Sequence, residues 1–86
     1  MNQDQNFTTT DTSLATYLIA EGYQLVHIDY TQPRYEFAFL RGYDNHINDT
    51  ASSFLAGKTV IEPINFMRIN RTLIRLVKNQ KQWGEN

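Results

Sequence analysis

The chain has 86 residues, a hydrophobic fraction of 41%, no cysteine and a formal net charge of −1. A chain of this length forms one domain, and its composition is that of a folded protein rather than a disordered one. The absence of cysteine excludes disulfide bonds, cysteine-ligated zinc and thiol catalysis.

No segment has the features of a signal peptide or of a membrane-spanning helix. Residues 1–6 are polar and are not followed by an apolar stretch, and the longest apolar runs are only a few residues long. We therefore expect a cytoplasmic protein that does not contact membranes.

Charge is divided unevenly along the chain. Residues 1–57 carry two arginines and seven acidic residues, whereas residues 58–86 carry six cationic residues and two acidic ones. The near-neutral total therefore combines an acidic first part with a basic second part. Either the two parts neutralise each other within the fold or in a dimer, or the basic part binds an anionic partner.

The predicted elements begin after a polar N-terminus. We expect residues 1–6 to be disordered, residues 7–83 to form a single α+β domain, and residues 84–86 to be frayed. The first helix is predicted over residues 11–21. Thr10 is the favoured N-cap, and Gly22 ends the helix because glycine accepts the left-handed conformation found after a last turn.

Two strands follow, over residues 23–30 and 35–40, with a proline-containing turn at residues 31–34. So short a turn predicts an antiparallel hairpin. In the first strand, alternating residues form two sets: Val26, Ile28 and Tyr30, and Leu25, His27 and Asp29. In the second strand, three aromatic residues share one face: Tyr35, Phe37 and Phe39. Helices must cover one face of the hairpin, since an isolated hairpin is unstable.

Two further helices complete the prediction. A loop over residues 42–45 leads to a helix over residues 46–56 that ends at Gly57. A third helix starts at Glu62-Pro63, because proline is tolerated at the first helical position, and it continues to about Gln82. The predicted order is α-β-β-α-α, a small α+β fold with the hairpin packed against helices.

Short motifs follow one another in a particular order: Thr10-Asp11, Leu14 to Leu18, Gly22, Ile28-Asp29, Pro33-Arg34, Phe37 to Phe39, Gly57 and Glu62-Pro63. This order resembles a small family of uncharacterised domains found in phages and prokaryotes, and the resemblance extends from residue 7 to about residue 80. The family has no assigned activity, so the resemblance implies no functional residue. It implies only a mobile-element or prokaryotic cytoplasmic setting.

The strongest functional signal lies in the third helix. Cationic residues recur there at intervals of three and four, which aligns them on one helix face. They are Arg68, Arg71, Arg75 and Lys78, with Lys81 further along the chain. No acidic residue lies between Asn65 and Gln82, whereas solvated helices usually interleave opposite charges. The pattern fits a surface for an anionic partner. The alternative is a face that meets only solvent, since arginine and lysine are also favoured near the C-terminus of a helix.

Nucleic acid is the leading candidate for that partner, because cations one helical turn apart can meet successive phosphates. Amide side chains, which hydrogen-bond adenine, also lie near the cations: Asn65, Asn70, Asn79, Gln80 and Gln82. The pattern does not distinguish DNA from RNA. An acidic protein surface is the other anionic partner that fits it.

A protein-interaction module is the alternative function: a homodimeric adaptor, or an inhibitor that docks on a larger host or phage protein. Tyr30, Tyr35 and Phe37 would then be contact residues, or an edge strand would pair with the partner. The acidic first part could also mimic nucleic acid and block a basic groove. Alternating aromatic residues more often form the core face of a sheet.

We expect no enzymatic activity, no metal site, no cofactor and no small-molecule substrate. His27 and Asp29 lie two apart in one strand, but two candidate ligands do not form a site. No nucleophile elbow, glycine-rich phosphate loop or metalloprotease motif is present. The sequence therefore predicts a small binding protein, with homodimerisation as one way to enlarge a small core.

Overall fold

The computed structural model describes residues 6–31, 33–42 and 45–84. In chain order the elements are β1 (Asn6–Thr9), α1 (Thr12–Ala20), β2 (Leu25–Asp29), β3 (Glu36–Leu40), α2 (His46–Leu55) and α3 (Pro63–Lys78). The predicted α+β fold class is confirmed, and β2 and β3 form the expected antiparallel hairpin.

Some predictions fall outside the described residues. They are the predicted disorder of residues 1–5, the frayed end at residues 85 and 86, the turn position at Gln32 and the loop positions 43 and 44.

Among the described residues the sheet has three strands in the order β1-β3-β2, one more than the sequence predicted. In β1, Phe7 lies opposite Phe39 and Thr9 lies opposite Phe37. Asn6, which was assigned to the disordered N-terminus, belongs to this strand. The order of elements is therefore β-α-β-β-α-α. Four residues of mainly polar character lack the hydrophobic alternation that identifies a strand, so only pairing with β3 defines β1.

β2 contains a bulge that the predicted alternation did not include. Leu25 and His27 lie opposite consecutive residues of β3, so Val26 is one residue too many for regular pairing. The extra residue shifts the alternation. As a result, Leu25 and Ile28 are both buried while Val26 is exposed.

The N-terminus of α1 is capped by Asp11, so the prediction of Thr10 as the N-cap is wrong. The Asp11 carboxylate accepts hydrogen bonds from the backbone N–H groups of Ser13 at 2.9 Å and Leu14 at 3.1 Å. Aspartate caps at least as well as threonine. Its negative charge also lies at the positive end of the helix dipole.

Each of the three helices ends in a Schellman motif, in which a residue with positive φ follows the last turn. In α1 and α2 this residue is glycine, as predicted: Gly22 at φ 99° and Gly57 at φ 73°. In α3 it is Gln80 at φ 53°. The next backbone N–H donates to the carbonyl five residues earlier in all three cases. α3 therefore ends at Lys78, four residues before the predicted end.

One hydrophobic cluster joins the helices to the sheet. Its members are Leu14, Ala15, Leu18, Leu25, Ile28, Phe37, Phe39, Ile47, Ala51, Leu73 and Leu76. α1 packs against both α3 and α2. The stacked rings of Tyr17 and Phe54, whose centroids lie 4.9 Å apart, add to the contact with α2. α3 is thus held against α1 by one side only, and this leaves its opposite side facing outward.

Candidate functional site

α3 begins at a well-formed N-terminus. Pro63 occupies the first helical position, and the carboxylate of Glu62 accepts hydrogen bonds from the backbone N–H groups of Ile64 and Asn65. Arg75 and Lys78 lie in the last turn, where positive charge is favourable for the helix dipole. Local sequence therefore defines where this helix starts and which side of it carries charge.

Four cationic residues form what we call the basic stripe: Arg68, Arg71, Arg75 and Lys78. All four are exposed. Helical geometry places them within an arc of about 80° and along about 15 Å of the helix. Lys81 is also exposed, but it follows the end of α3 and so lies beyond the stripe rather than in it.

The opposite side of α3 is the core face. Leu73 and Leu76 are buried, and Phe66, Ile69 and Val77 are half-buried. Because these residues pack inward, the rotation of α3 about its axis is set, and the basic stripe is directed away from the core.

The basic stripe has no ion-pair partner among the described residues. Within residues 6–31, 33–42 and 45–84, its four side chains make no ion pair and no hydrogen bond. The contacts found at Arg68 and Arg75 involve their backbone carbonyls only. The acidic first part of the chain therefore does not pair with the stripe in this described region, so the charges are available to an anionic partner.

Most of the amide side chains near the cations have a structural role. Asn70 donates to Thr16 on α1, Gln82 bonds to the backbone of Ile28, and Asn79 donates to the carbonyl of Arg75. Side chains held in this way are not positioned to recognise base edges. Three of the five amides near the cations are therefore engaged within the fold and are not free to read adenine edges.

Sequence reasoning missed three aliphatic residues beside the basic stripe, which we call the aliphatic strip. They are Ile64, Met67 and Ile74, exposed to 69%, 56% and 55% respectively. Two shallow clefts flank Met67, and Arg71 lines both of them. Their spacing of three and seven residues was visible in the sequence, but it places them among the cations, so the periodicity that defines the core face does not include them.

The alternative contact residues lie in or against the core. Phe37 is fully buried, so no partner can contact it in this fold. Tyr30 and Tyr35 are half-buried, and their hydroxyl groups hydrogen-bond within the chain, Tyr30 to the carbonyls of Leu76 and Lys81 and Tyr35 to Thr12. The hairpin aromatics therefore stabilise the fold, and they offer little surface.

The pair considered for metal binding does not form a larger cluster. His27 is exposed, and Asp29 accepts a hydrogen bond from the backbone N–H of Thr31 at 2.8 Å. In the part of the chain that the structure describes, no group of three or more metal-ligating side chains lies together.

Comparison of the chain with protein-family models, with curated proteins and with solved structures gave no match. Among the described residues, the helices are too short or too polar for any of them to cross a membrane.

Proposed function

We propose that this chain is a small non-enzymatic protein that binds the phosphate backbone of nucleic acid through the basic stripe. One observation carries the proposal: four exposed cations share one arc of α3 without an ion-pair partner among the described residues. In this proposal the chain is an accessory or regulatory protein of a phage or mobile element and acts in the cytoplasm.

The physical basis is counterion release. Each phosphate that a lysine or arginine neutralises frees condensed cations. The logarithm of the binding constant therefore falls linearly with the logarithm of the salt concentration. For four phosphate contacts the expected slope of this line is about −3 for a single strand and about −4 for duplex DNA. Lys81 is close enough in sequence to assist at the end of the nucleic-acid path.

Because the basic stripe is proposed to contact phosphates, binding should depend little on base sequence, and the amides of Asn70, Asn79 and Gln82, which could read adenine, are used within the fold. Phosphate contacts position a protein on nucleic acid without specifying sequence. DNA and RNA both present such a backbone, so both are ligands to test.

The test is a fluorescence-anisotropy titration of labelled duplex DNA and single-stranded RNA at about 50 and 200 mM salt, a range over which phosphate contacts change affinity strongly. The variant Arg71→Glu, Arg75→Glu should bind at least about tenfold more weakly. The matched control is Arg34→Glu, Lys58→Glu, which changes the net charge equally at two exposed residues outside α3 and should bind nearly as the parent does.

Two outcomes would overturn the proposal. One is the absence of binding to both ligands at low salt. The other is an equal loss of affinity in the two charge-reversed variants, because that would mean that net charge matters and the basic stripe does not.

A further inference from the structure

α3 carries a heptad pattern on its outward side, separate from its core face. Ile64, Met67, Arg71, Ile74 and Lys78 follow one another at intervals of three, four, three and four residues. These are the a and d positions of a coiled-coil heptad, the positions that contact a neighbouring helix. Three of the five are the exposed members of the aliphatic strip.

The aliphatic strip calls for a partner that buries apolar surface. Contiguous apolar patches on a protein surface mark interaction sites, whereas single exposed apolar residues need no explanation. A phosphate backbone meets the arginines but leaves methyl and methylene groups in water. The strip therefore needs an explanation beyond nucleic-acid binding.

The surface around Met67 has hollows between side chains of the kind that a packed helix fills. One cleft lies between Ile64, Met67, Arg68 and Arg71, and the other lies between Met67, Arg71 and Ile74, with Phe66 and Asn70 at its inner side. Side chains of a partner helix enter such hollows between four residues in coiled-coil packing. The surface thus has hollows at the spacing that the side chains of a packed partner helix occupy.

Charge identifies the kind of helix. Arg68 and Arg75 occupy the e positions that flank the heptad contact, and Arg71 and Lys78 lie within it. A second copy of α3 is unsuitable, since α3 has no acidic residue between Pro63 and Lys78. Pairing α3 with itself in either direction would bring cations together, which is unfavourable.

We propose that α3 is the docking site for an acidic amphipathic helix of another protein. Apolar residues of that helix cover the aliphatic strip, and its glutamate or aspartate side chains pair with the basic stripe. The inference goes beyond the proposed function and does not depend on it, because it rests on Ile64, Met67 and Ile74. The two ligands share the arginines, so the acidic helix would compete with nucleic acid.

The probe is a labelled synthetic helix about three heptads long, with leucine at a and d and glutamate at e and g, so that it does not pair with itself. A second peptide carries lysine in place of glutamate. Anisotropy titration should show binding of the glutamate peptide and at least tenfold weaker binding of the lysine peptide. The variant Arg68→Glu, Arg75→Glu should reverse that preference.

The decisive variant is Met67→Ser, Ile74→Ser, which should weaken binding of the glutamate peptide at least tenfold. Its matched control is Leu55→Ser, Val60→Ser, two aliphatic residues that are also exposed but lie outside α3, and it should bind as the parent does. Circular dichroism on each variant checks that the fold is retained.

The same Met67→Ser, Ile74→Ser variant should bind nucleic acid with unchanged affinity, which separates the two proposals. Absence of peptide binding with nucleic-acid binding retained would overturn the docking site alone. Loss of nucleic-acid binding with peptide binding retained would overturn the proposed function alone. If sedimentation showed that the parent protein is a dimer and that the Met67→Ser, Ile74→Ser variant is a monomer, the partner would be a second copy of the chain, and the acidic-helix assignment would be overturned.

Discussion

The side-chain amide of Gln82 pairs with the backbone of Ile28 as a neighbouring strand would. Its Nε2 donates to the Ile28 carbonyl at 2.8 Å, and its Oε1 accepts from the Ile28 N–H at 2.7 Å. β2 is an edge strand, and unpaired backbone groups at a sheet edge invite pairing with another chain. Gln82 thus occupies this edge at Ile28 and ties the end of α3 to the sheet.

Replacing Gln82 with alanine should lower the free energy of unfolding by about 1–2 kcal/mol, since two hydrogen bonds are lost. Urea denaturation measures the change. The control is Gln24→Ala, because Gln24 is exposed and its side chain should contribute little. Equal stability of the Gln82→Ala variant and the parent would show that the pairing with Ile28 does not hold the end of α3.

A buried polar contact between α1 and α3 should contribute to the free energy of unfolding about as much as the Gln82–Ile28 pairing does. Thr16 is fully buried; its hydroxyl donates to the Thr12 carbonyl at 2.8 Å and accepts from Asn70 Nδ2 at 2.9 Å. Thr16→Val keeps the shape but leaves the Asn70 amide without its acceptor, which should cost about 1–3 kcal/mol.

The check on this contact is a double-mutant cycle by thermal or urea denaturation. Because Thr16→Val, Asn70→Leu removes both polar groups, the double variant should lose less stability than the sum of the two single variants. Strict additivity would argue that the two side chains are not coupled.

The N-cap assignment distinguishes two neighbouring residues. Asp11→Ala should lower the free energy of unfolding by about 1 kcal/mol, because two backbone N–H groups lose their acceptor. Thr10→Ala should have little effect, since Thr10 is exposed and does not cap the helix. If urea denaturation showed a larger loss of stability for Thr10→Ala than for Asp11→Ala, Thr10 would be the N-cap.

One substitution should stabilise the protein. Gln80 adopts φ 53° at the position that glycine occupies after α1 and α2, and this conformation costs a residue with a Cβ about 1–2 kcal/mol. Gln80→Gly removes that strain but increases the freedom of the unfolded chain, so a net gain of about 0.5–1 kcal/mol is expected. The melting temperature should rise by several degrees.

Asn79→Gly is the matched control for this prediction. Asn79 has φ −100°, a value that carries no such strain, so the glycine there should stabilise nothing. A similar rise in melting temperature for both variants would mean that the positive φ of Gln80 is not the cause.

The features of α3 that sequence reasoning predicted are those that depend on its own periodicity. A helix of 3.6 residues per turn separates Arg68 and Arg75 from Leu73 and Leu76 whatever surrounds it. The buried face of β3 follows in the same way from the alternation of Phe37 and Phe39.

Other features required the packed chain. β1 is a strand only because β3 offers it a partner, and the bulge at Val26 exists only in the pairing of β2 with β3. Gln82 lies 54 residues from Ile28 in sequence, so no local pattern relates them. The amides of Asn70 and Gln82 looked suitable for base recognition until the structure placed them in contacts within the fold.

The sequence by itself determined that β2 and β3 form an antiparallel hairpin, that α1, α2 and α3 are helices, and that α1 and α2 end at a glycine. It also determined that the residues of the basic stripe lie on one face of α3. Each of these depends on residues within a few positions of one another. Tertiary structure alone decided that Ile64, Met67 and Ile74 face outward beside the stripe. α3 has apolar residues on two sides. Periodicity places Leu73 and Leu76 opposite the cations, and only the packed chain shows that Ile64, Met67 and Ile74 are left exposed.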